Sequence, residues 1–314
     1  NGTIQDFPQL VQMRESGNYT NTNWQDAIFR NALNYRGNTT ITGGTETLKY
    51  NFSANYQNED GILLNSYYRR TGIKGGFEAN LSKKVKLGVN LNTTYSKKRI
   101  QQPTGGNTED VTGVIAQALS MPPILPVYQP NGDYTQIAQH YAGLGLNNQL
   151  RNPVANLMEN RNDAWSIRTM SNAYLEVKPI KGLTLRSSIN FTTNSAKKDY
   201  YQSAYLLGKK YNKSTPDLTS IDGYRMSGFG YNTYWSTTAT YDVMFNEKHH
   251  LNAMIGYDFE YNSDFDVQQD DRTDSDNPIA YNNTSITNVN GATLWTGASN
   301  YSNYVFDAMF ARVV

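Results

Sequence analysis

The feature that most constrains this chain is an alternation of apolar and polar residues that recurs in long segments. The segment Leu48–Gln57, LKYNFSANYQ, has Leu, Tyr, Phe, Ala and Tyr at every second position, with Lys, Asn, Ser, Asn and Gln between them. A two-residue period places these two sets on opposite faces of a β-strand. The polar face carries mainly amides and hydroxyls. We interpret the apolar face as facing lipid and the amide-rich face as lining a water-filled lumen.

The same alternation appears throughout the chain and predicts an all-β protein. The clearest segments are 85–95, 185–192, 229–245 and 251–261, and weaker ones are 36–43, 67–81, 164–177 and 301–314. Several exceed the length of ordinary globular strands, about 5–6 residues, and reach the roughly 9–11 residues of a tilted membrane strand. We therefore predict about nine strands of a large antiparallel transmembrane β-barrel.

The predicted connections are sorted by length, which favours a barrel over a soluble sandwich. The short ones are Gly43–Glu46, Ser82–Lys84, Pro179–Gly182 and Asn246–His249. The long ones are about 58–66, 99–163, 196–225 and 263–300. Outer-membrane barrels combine short periplasmic turns with long extracellular loops in this way.

Two short helices are predicted within the long extracellular loops. A capping box in Thr22–Gln25 predicts a helix that continues to about Leu33. Thr108 is a candidate cap for a second helix, because the apolar residues that follow it keep helical spacing. The apolar positions are Val111, Val114, Ile115 and Ala118.

Composition excludes several classes of protein. The net charge is +1, with 28 Lys and Arg against 27 Asp and Glu, so nothing favours a nucleic-acid partner. Cysteine is absent, which excludes a disulfide scaffold, a thiolate metal site and a cysteine nucleophile. No apolar run reaches the roughly 20 residues of a transmembrane helix. Motifs for a nucleophile elbow, a phosphate-binding loop or a zinc protease are also missing, so we predict no enzymatic activity.

The segment Asp264–Pro278, which we interpret as a loop, is the one candidate metal site. Carboxylates in this number suit Ca²⁺, but the segment lacks the order of an EF-hand loop, and a solvated loop is the favoured alternative. The weak calcium candidates are Asp270, Asp271, Asp274 and Asp276. His249 and His250 are expected to be solvated turn residues, and no other cofactor is predicted.

Six residues are candidates for contact with a substrate or partner. Tyr128 and Tyr134 lie in the proline-rich segment PPILPVYQPNGDY and could stack on sugar rings, although rigid loop packing is the favoured alternative. Four asparagines at polar positions of the alternating segments are predicted to line the lumen. They are Asn51, Asn55, Asn90 and Asn190.

The segment Thr22–Arg70 resembles the start of the barrel in SusC/RagA-like TonB-linked (TonB-dependent) outer-membrane transporters. The matching motifs are Trp24-Gln25-Asp26, Thr42-Gly43-Gly44, the aromatic strand from Tyr50 to Tyr56, Asp60-Gly61-Ile62 and Tyr68-Arg69-Arg70. Further similar segments follow in the family's order at 85–92, 126–134, 152–157 and 246–260. Together they cover nearly the whole chain.

The resemblance implies a barrel of roughly 22 strands closed inside by an N-terminal plug. Such proteins import glycans or peptides across the outer membrane of Bacteroidota-type bacteria. A SusD-like surface lipoprotein covers the barrel, and TonB–ExbB–ExbD supplies the energy. Because about nine strands with an open edge cannot close in lipid, we expect residues 1–314 to be the N-terminal part of the barrel, with the plug and C-terminal strands absent.

Two alternatives from other classes remain open at this stage. A soluble secreted β-rich carbohydrate-binding module would have shorter strands and unsorted connections. An outer-membrane barrel protease or lipase would need a Ser/His/Asp cluster, which we cannot assemble from the sequence. Within the importer hypothesis the cargo stays open, because glycan, peptide and siderophore importers share this barrel pattern.

Overall fold

The computed structural model describes residues 8–17, 19–101, 113–141, 150–202, 222–246, 248–272 and 295–314. The helices are α1 Pro8–Glu15, α2 Trp24–Ile28, α3 Val114–Ser120, α4 Ile137–His140 and α5 Pro153–Glu159. The strands are β1 Asn34–Gly44, β2 Leu48–Asp60, β3 Tyr67–Ser82, β4 Val85–Arg99, β5 Arg161–Val177, β6 Leu183–Gln202, β7 Asp222–Phe245, β8 His249–Arg272 and β9 Trp295–Val313. No described helix has the length and apolar character required to cross a membrane.

The nine strands form a single antiparallel sheet in which every strand pairs with its neighbours in sequence. The strands range in length from 11 residues in β1 to 24 in β7 and β8. This order and these lengths confirm the predicted all-β fold and the large antiparallel sheet of a barrel protein. Ordinary globular strands are much shorter, at about 5–6 residues.

The connections are sorted as predicted, but three strands extend further than expected. The short turns 45–47, 83–84, 178–182 and 246–248 join the strands at one end of the sheet, and the long connections 61–66 and 100–160 join them at the other end. The last two long connections, 203–221 and 273–294, lie outside the described residues. The predicted loop boundaries at residues 196, 225 and 263 are wrong, because β6, β7 and β8 continue beyond them. The apolar alternation weakens there, while the backbone ladder continues.

The two faces of the sheet differ in exposure as well as in polarity. On β2, Tyr50 is 48% exposed and Phe52 is 46% exposed, whereas Asn51 and Ser53 between them are half-buried. Side chains converge on the concave side of a curved sheet and spread apart on the convex side. We therefore take the polar face to be concave and the apolar face to be convex.

The apolar face has the height of a lipid-facing band. On β4 it runs from Val85 to Tyr95, which is about 33 Å along a strand at about 3.3 Å per residue. With a tilt of about 45°, this becomes about 23 Å along the membrane normal, close to the roughly 25 Å band of outer-membrane barrels. Beyond Tyr95 the same face carries Lys97 and Arg99, which marks the end of the apolar band.

A second body, which we call the cap, lies at the long-connection end of the sheet. It comprises residues 19–33, 61–66, 113–141 and 150–160. Its buried apolar side chains form one core: Trp24, Ile28, Leu63, Val114, Ala118, Met121, Leu125, Ile137, Leu150, Val154 and Leu157. The Trp24 indole Nε1 donates to the Pro122 carbonyl at 2.9 Å and joins two segments that are distant in sequence.

Both helices predicted in this region differ from those in the structure. The N-cap of α2 is Asn23, whose side chain accepts hydrogen bonds from the backbone N–H groups of the first turn, while Thr22 donates to the Leu125 carbonyl. The helix ends at Ile28 and does not reach Leu33, because Phe29 turns to extended backbone and forms a β-bridge with Leu63. In the second case α3 begins at Val114 after Gly113, and the predicted Thr108 cap lies outside the described residues.

Candidate functional site

Three of the four predicted lumen asparagines lie in one row across the polar face. The ladder pairs Asn51 with Gly76, Gly76 with Asn90, Asn90 with Asn172 and Asn172 with Asn190. Asn172 Nδ2 donates to Asn190 Oδ1 at 2.8 Å. A Cβ atom on Gly76 would lie 2.3 Å from Asn90 Oδ1, so glycine leaves room for this amide. The row presents both donors and acceptors to the lumen, because each amide side chain has an NH₂ group that donates and an oxygen that accepts.

Asn55, the fourth predicted residue, lies on the same face nearer the long-connection end. Its ladder partner is Gly72, where a Cβ atom would lie 2.6 Å from Asn55 Nδ2. Here too a glycine on β3 makes room for an asparagine on β2. The structure therefore places all four asparagines on the polar face, and their contact with a substrate stays a prediction.

A charged group near the short turns, which we call the lower network, was not predicted from the sequence. Glu78 accepts hydrogen bonds from Lys86 Nζ at 2.9 Å and from the Tyr174 hydroxyl at 2.6 Å. The Arg186 guanidinium lies 4.2 Å from the centroid of the Tyr174 ring. A Cβ atom on Gly88 would lie 2.2 Å from that ring, so glycine allows the tyrosine to lie across β4. Each charge of the lower network therefore has a partner within the network.

A pocket of about 620 Å³, which we call the upper pocket, lies on the polar face towards the long connections. Lys98, Lys197 and Lys198 line it, together with small and aromatic side chains of the neighbouring strands. Sequence reasoning missed it because Lys98 follows the clear alternation of 85–95 and Lys198 falls in the predicted loop 196–225. A signal was present, since the similar segments Ser96–Arg99 (SKKR) and Ala196–Asp199 (AKKD) occur near the long-connection ends of β4 and β6.

The tyrosines of the proline-rich segment contact each other in the cap. Tyr128 and Tyr134 form an isolated antiparallel bridge, and their ring centroids are 5.0 Å apart at an interplanar angle of 33°. Tyr134 packs against the cap core, whereas Tyr128 is 50% exposed. Loop packing thus describes Tyr134, while the exposed ring of Tyr128 is available to a ligand or partner.

The acidic segment differs from the predicted loop. Residues 264–272 belong to β8, with Asp270 and Asp271 in its ladder, and the remaining candidates Asp274 and Asp276 lie outside the described residues. Within the described part of the chain, no cluster of three His, Cys, Asp or Glu side chains could hold a metal ion. The histidines also differ from the predicted turn, because β8 begins at His249 and His250 Nε2 lies 2.8 Å from Asp242 Oδ1.

Comparison with known proteins identifies several relatives, although no family model matches. TonB-dependent receptor P26 of Formosa agariphila is 24% identical over 299 residues, which are 94% of this chain and 28% of the relative. TonB-dependent receptor P3 of the same organism is 26% identical over 304 residues, 93% of this chain and 28% of the relative. TonB-dependent receptor SusC of Bacteroides thetaiotaomicron is 28% identical over 134 residues, 42% of this chain and 13% of the relative.

The fold is similar to that of a solved transporter. The structure of the RagAB peptide importer in its closed-closed state superposes with a TM-score of 0.71 at 19% identity, covering 98% of this chain and 33% of that chain. The open-open state of the same importer gives a TM-score of 0.69 at 20% identity and covers 93% and 30%. The chain thus spans about a third or less of the proteins it matches.

These relatives confirm the resemblance to SusC/RagA-like TonB-linked outer-membrane transporters. They also confirm the predicted location, the bacterial outer membrane. At the level they support, the chain is related to TonB-dependent outer-membrane receptors. None of the relatives supports a soluble carbohydrate-binding module.

Proposed function

We propose that this chain is a barrel segment of a TonB-dependent importer that carries oligosaccharides or peptides across the outer membrane together with a SusD-like surface lipoprotein. The observation that carries the proposal is the sheet itself, with an apolar band on one face and a row of asparagines on the other. An apolar exterior and a polar interior suit a channel through lipid.

The polar face suits cargo rich in hydroxyl or amide groups. The row from Asn51 to Asn190 offers donors and acceptors that can replace water around such groups as they pass. Transport of this kind breaks no covalent bond, and we assign no catalytic role to any residue. The names of the relatives support import but leave the cargo of this chain open. RagAB is named as a peptide importer, whereas P26, P3 and SusC are named only as TonB-dependent receptors.

The cap suits contact with a partner at the extracellular mouth. Ile62 and Leu119 are 63% and 64% exposed on its surface, and Tyr128 is also exposed. Apolar and aromatic side chains presented on a well-packed support are typical of protein interfaces. We propose that the surface lipoprotein contacts the cap, and that TonB–ExbB–ExbD acts through other parts of the full-length protein.

Uptake by cells tests the proposal. The gene containing this chain is deleted from its host, and fluorescent oligosaccharides and oligopeptides are screened for loss of uptake. We expect at least one cargo to require this gene, TonB and the lipoprotein encoded with it. If every cargo enters the deletion strain as fast as the parent strain, or if uptake is independent of TonB, the importer proposal is wrong.

A further inference from the structure

The charged side chains at the two ends of the polar face differ in how they are paired. The lower network is compensated, since Glu78 lies between Lys86 and Tyr174, and Arg186 lies over the tyrosine ring. In the upper pocket Lys198 lies over the Tyr224 ring, 5.0 Å from its centroid, but neither Lys98 nor Lys198 forms an ion pair with a carboxylate among the described residues. Unpaired like charges on one concave wall raise the positive potential there and attract anions.

The upper pocket is built around a pair of lysines that flank one small residue. The ladder pairs Lys98 with Ala164 and Ala164 with Lys198, so the three lie in one row. Two strand spacings separate the lysine Cα atoms by about 10 Å. Ser166 and Ala196 extend the small-residue floor in the adjacent row, which leaves open volume between the two long side chains.

Within the described part of the chain, no carboxylate forms an ion pair with Lys98 or Lys198. Lys98 makes no hydrogen bond or ion pair with any described side chain, and Lys198 donates to the Tyr224 hydroxyl at 2.5 Å. Arg70 pairs with Ser96 in the ladder and Arg168 with Thr94, which adds two cations to the same face. Neither arginine forms an ion pair within the described part of the chain. Asp266 lines the opposite side of the pocket, on β8.

The pocket also has surfaces for the rest of a ligand. Tyr68 lies beside Lys98 in the ladder row and lines the pocket. Ser96 and Ser166, hydrogen-bonded at 2.9 Å, line its floor in the adjacent row. Next to the pocket, Tyr200 stacks on Tyr224 with ring centroids 5.0 Å apart. Aromatic rings and hydroxyl groups next to cations suit an oligomer that carries an acidic group on a polar backbone.

We propose that the upper pocket binds a carboxylate group of the imported oligomer between Lys98 and Lys198. This proposal rests on the proposed function and specifies the cargo of that importer as acidic. A bound carboxylate accepts charge-assisted hydrogen bonds from both ammonium groups and relieves their mutual repulsion. Uronic-acid sugars and acidic peptides share this chemistry.

Equilibrium binding to the purified full-length protein in detergent tests the site. The probes are a galacturonic acid hexamer, a galactose hexamer, a C-terminally amidated hexapeptide with two Asp residues and its Asn counterpart. The double variant Lys98→Gln/Lys198→Gln removes the two charges and keeps side-chain length. We expect at least one acidic probe to bind more tightly than its neutral counterpart, and the variant to weaken it by about tenfold or more.

A matched control removes two lysine charges outside the pocket. Lys97 has the opposite strand parity and lies on the apolar face, and Lys181 lies in the short turn 178–182. The double variant Lys97→Gln/Lys181→Gln therefore changes net charge equally without altering a residue that lines the pocket. This control should leave affinity for the acidic probe unchanged, and Lys98→Arg/Lys198→Arg should retain most of it. Heat-modified migration on gels verifies that each variant is folded.

Three results would overturn the carboxylate site. The first is an equal preference of the wild-type protein for acidic and neutral probes. The second is an equal loss of affinity in the two glutamine doubles, which would indicate only a general field effect. The third is full affinity in Lys98→Gln/Lys198→Gln. The sugar and peptide arms identify the source of the carboxylate.

Uptake separates this proposal from the importer proposal. TonB-dependent uptake that persists in cells with Lys98→Gln/Lys198→Gln, together with unchanged acidic-probe binding, refutes the site and leaves the importer intact. If uptake by the parent strain does not require TonB, the importer proposal itself is wrong.

Discussion

The cap and the sheet place their apolar side chains in opposite environments. In the cap, Ile28, Leu125 and Leu157 are 0% exposed and pack against one another. In the sheet, Phe52 is 46% exposed and Ile255 is 62% exposed. The cap therefore gains stability from a core shielded from water, as soluble proteins do, whereas the sheet has to bury its apolar face in lipid. Substitutions should separate these two sources of stability.

The largest effect is expected from a charge in the cap core. Leu157→Asp places an unpaired carboxylate where the side chain is fully buried and should destabilise the cap by about 5 kcal/mol. The barrel should still form, because the Leu157 side chain belongs to the cap core rather than to the sheet. Limited proteolysis measures the cap, and heat-modified gel migration measures the barrel.

Leu119→Asp is the matched control for Leu157→Asp, because Leu119 lies on a cap helix but is 64% exposed. Cleavage of the cap at the wild-type rate in Leu157→Asp would show that the cap does not depend on this core. Loss of both cap and barrel would show that the two bodies fold as one unit.

A charge on the apolar face is the second test. Phe52→Arg should impair membrane insertion of the full-length protein by about 2–4 kcal/mol, since arginine near the bilayer midplane has this cost in barrels. Asn51→Leu, one residue away on the polar face, should scarcely alter insertion. Insertion is measured by folding into lipid vesicles. Equal defects in both variants would contradict the assignment of the two faces.

Substitution of Asn152, the buried N-cap residue of helix α5, should have a smaller effect. Asn152 Oδ1 accepts from the N–H groups of Val154 at 3.0 Å and Ala155 at 3.2 Å, and its Nδ2 donates to the Val127 carbonyl at 2.8 Å. Asn152→Ala should destabilise the cap by about 2 kcal/mol. Asn152→Ser keeps an uncharged oxygen that can cap α5 and loses the amide that reaches the Val127 carbonyl, so hydrogen exchange in α5 should give an intermediate value.

Asn23 provides the comparison for Asn152. Its side chain caps α2 in the same way but is exposed, so Asn23→Ala should cost only about 1 kcal/mol. Equal changes in hydrogen exchange for the two variants would indicate that burial adds nothing to the stabilisation of a helix by its N-cap asparagine.

The smallest expected effect is a pH dependence of the cap. Burial lowers the pKa of His140, whose Nδ1 lies 3.0 Å from the backbone nitrogen of Gln136. The unfolded chain therefore binds a proton more readily, and cap stability should decrease as the pH falls through the ordinary histidine value of about 6.5. Hydrogen exchange in the cap at pH 7.5 and 5.5 measures the decrease, which His140→Gln should reduce. An unchanged decrease in that variant would assign the effect to other groups.

Strand character and face could be read locally, while the cap could not. The two-residue alternation of Leu48–Gln57 is visible in the segment itself, and the structure places each of its residues on the expected face. The cap core joins Trp24, Leu63, Leu125 and Leu157, which are separated by tens of residues and have no shared local pattern. The predicted end of α2 failed for the same reason, because a bridge to Leu63 decides it.

The sequence by itself determined where the nine strands lie, which face the side chains of the alternating segments occupy and which ends of the strands carry the long connections, but it did not determine where β6, β7 and β8 end at their long connections. Only the tertiary structure decided which residues become neighbours, because a two-residue period specifies a face but not the register between strands. The row that brings Asn51, Asn90 and Asn190 onto one level depends on that register. So does the position of Lys98 and Lys198 on either side of Ala164, since backbone hydrogen bonds join strands that lie far apart in the chain.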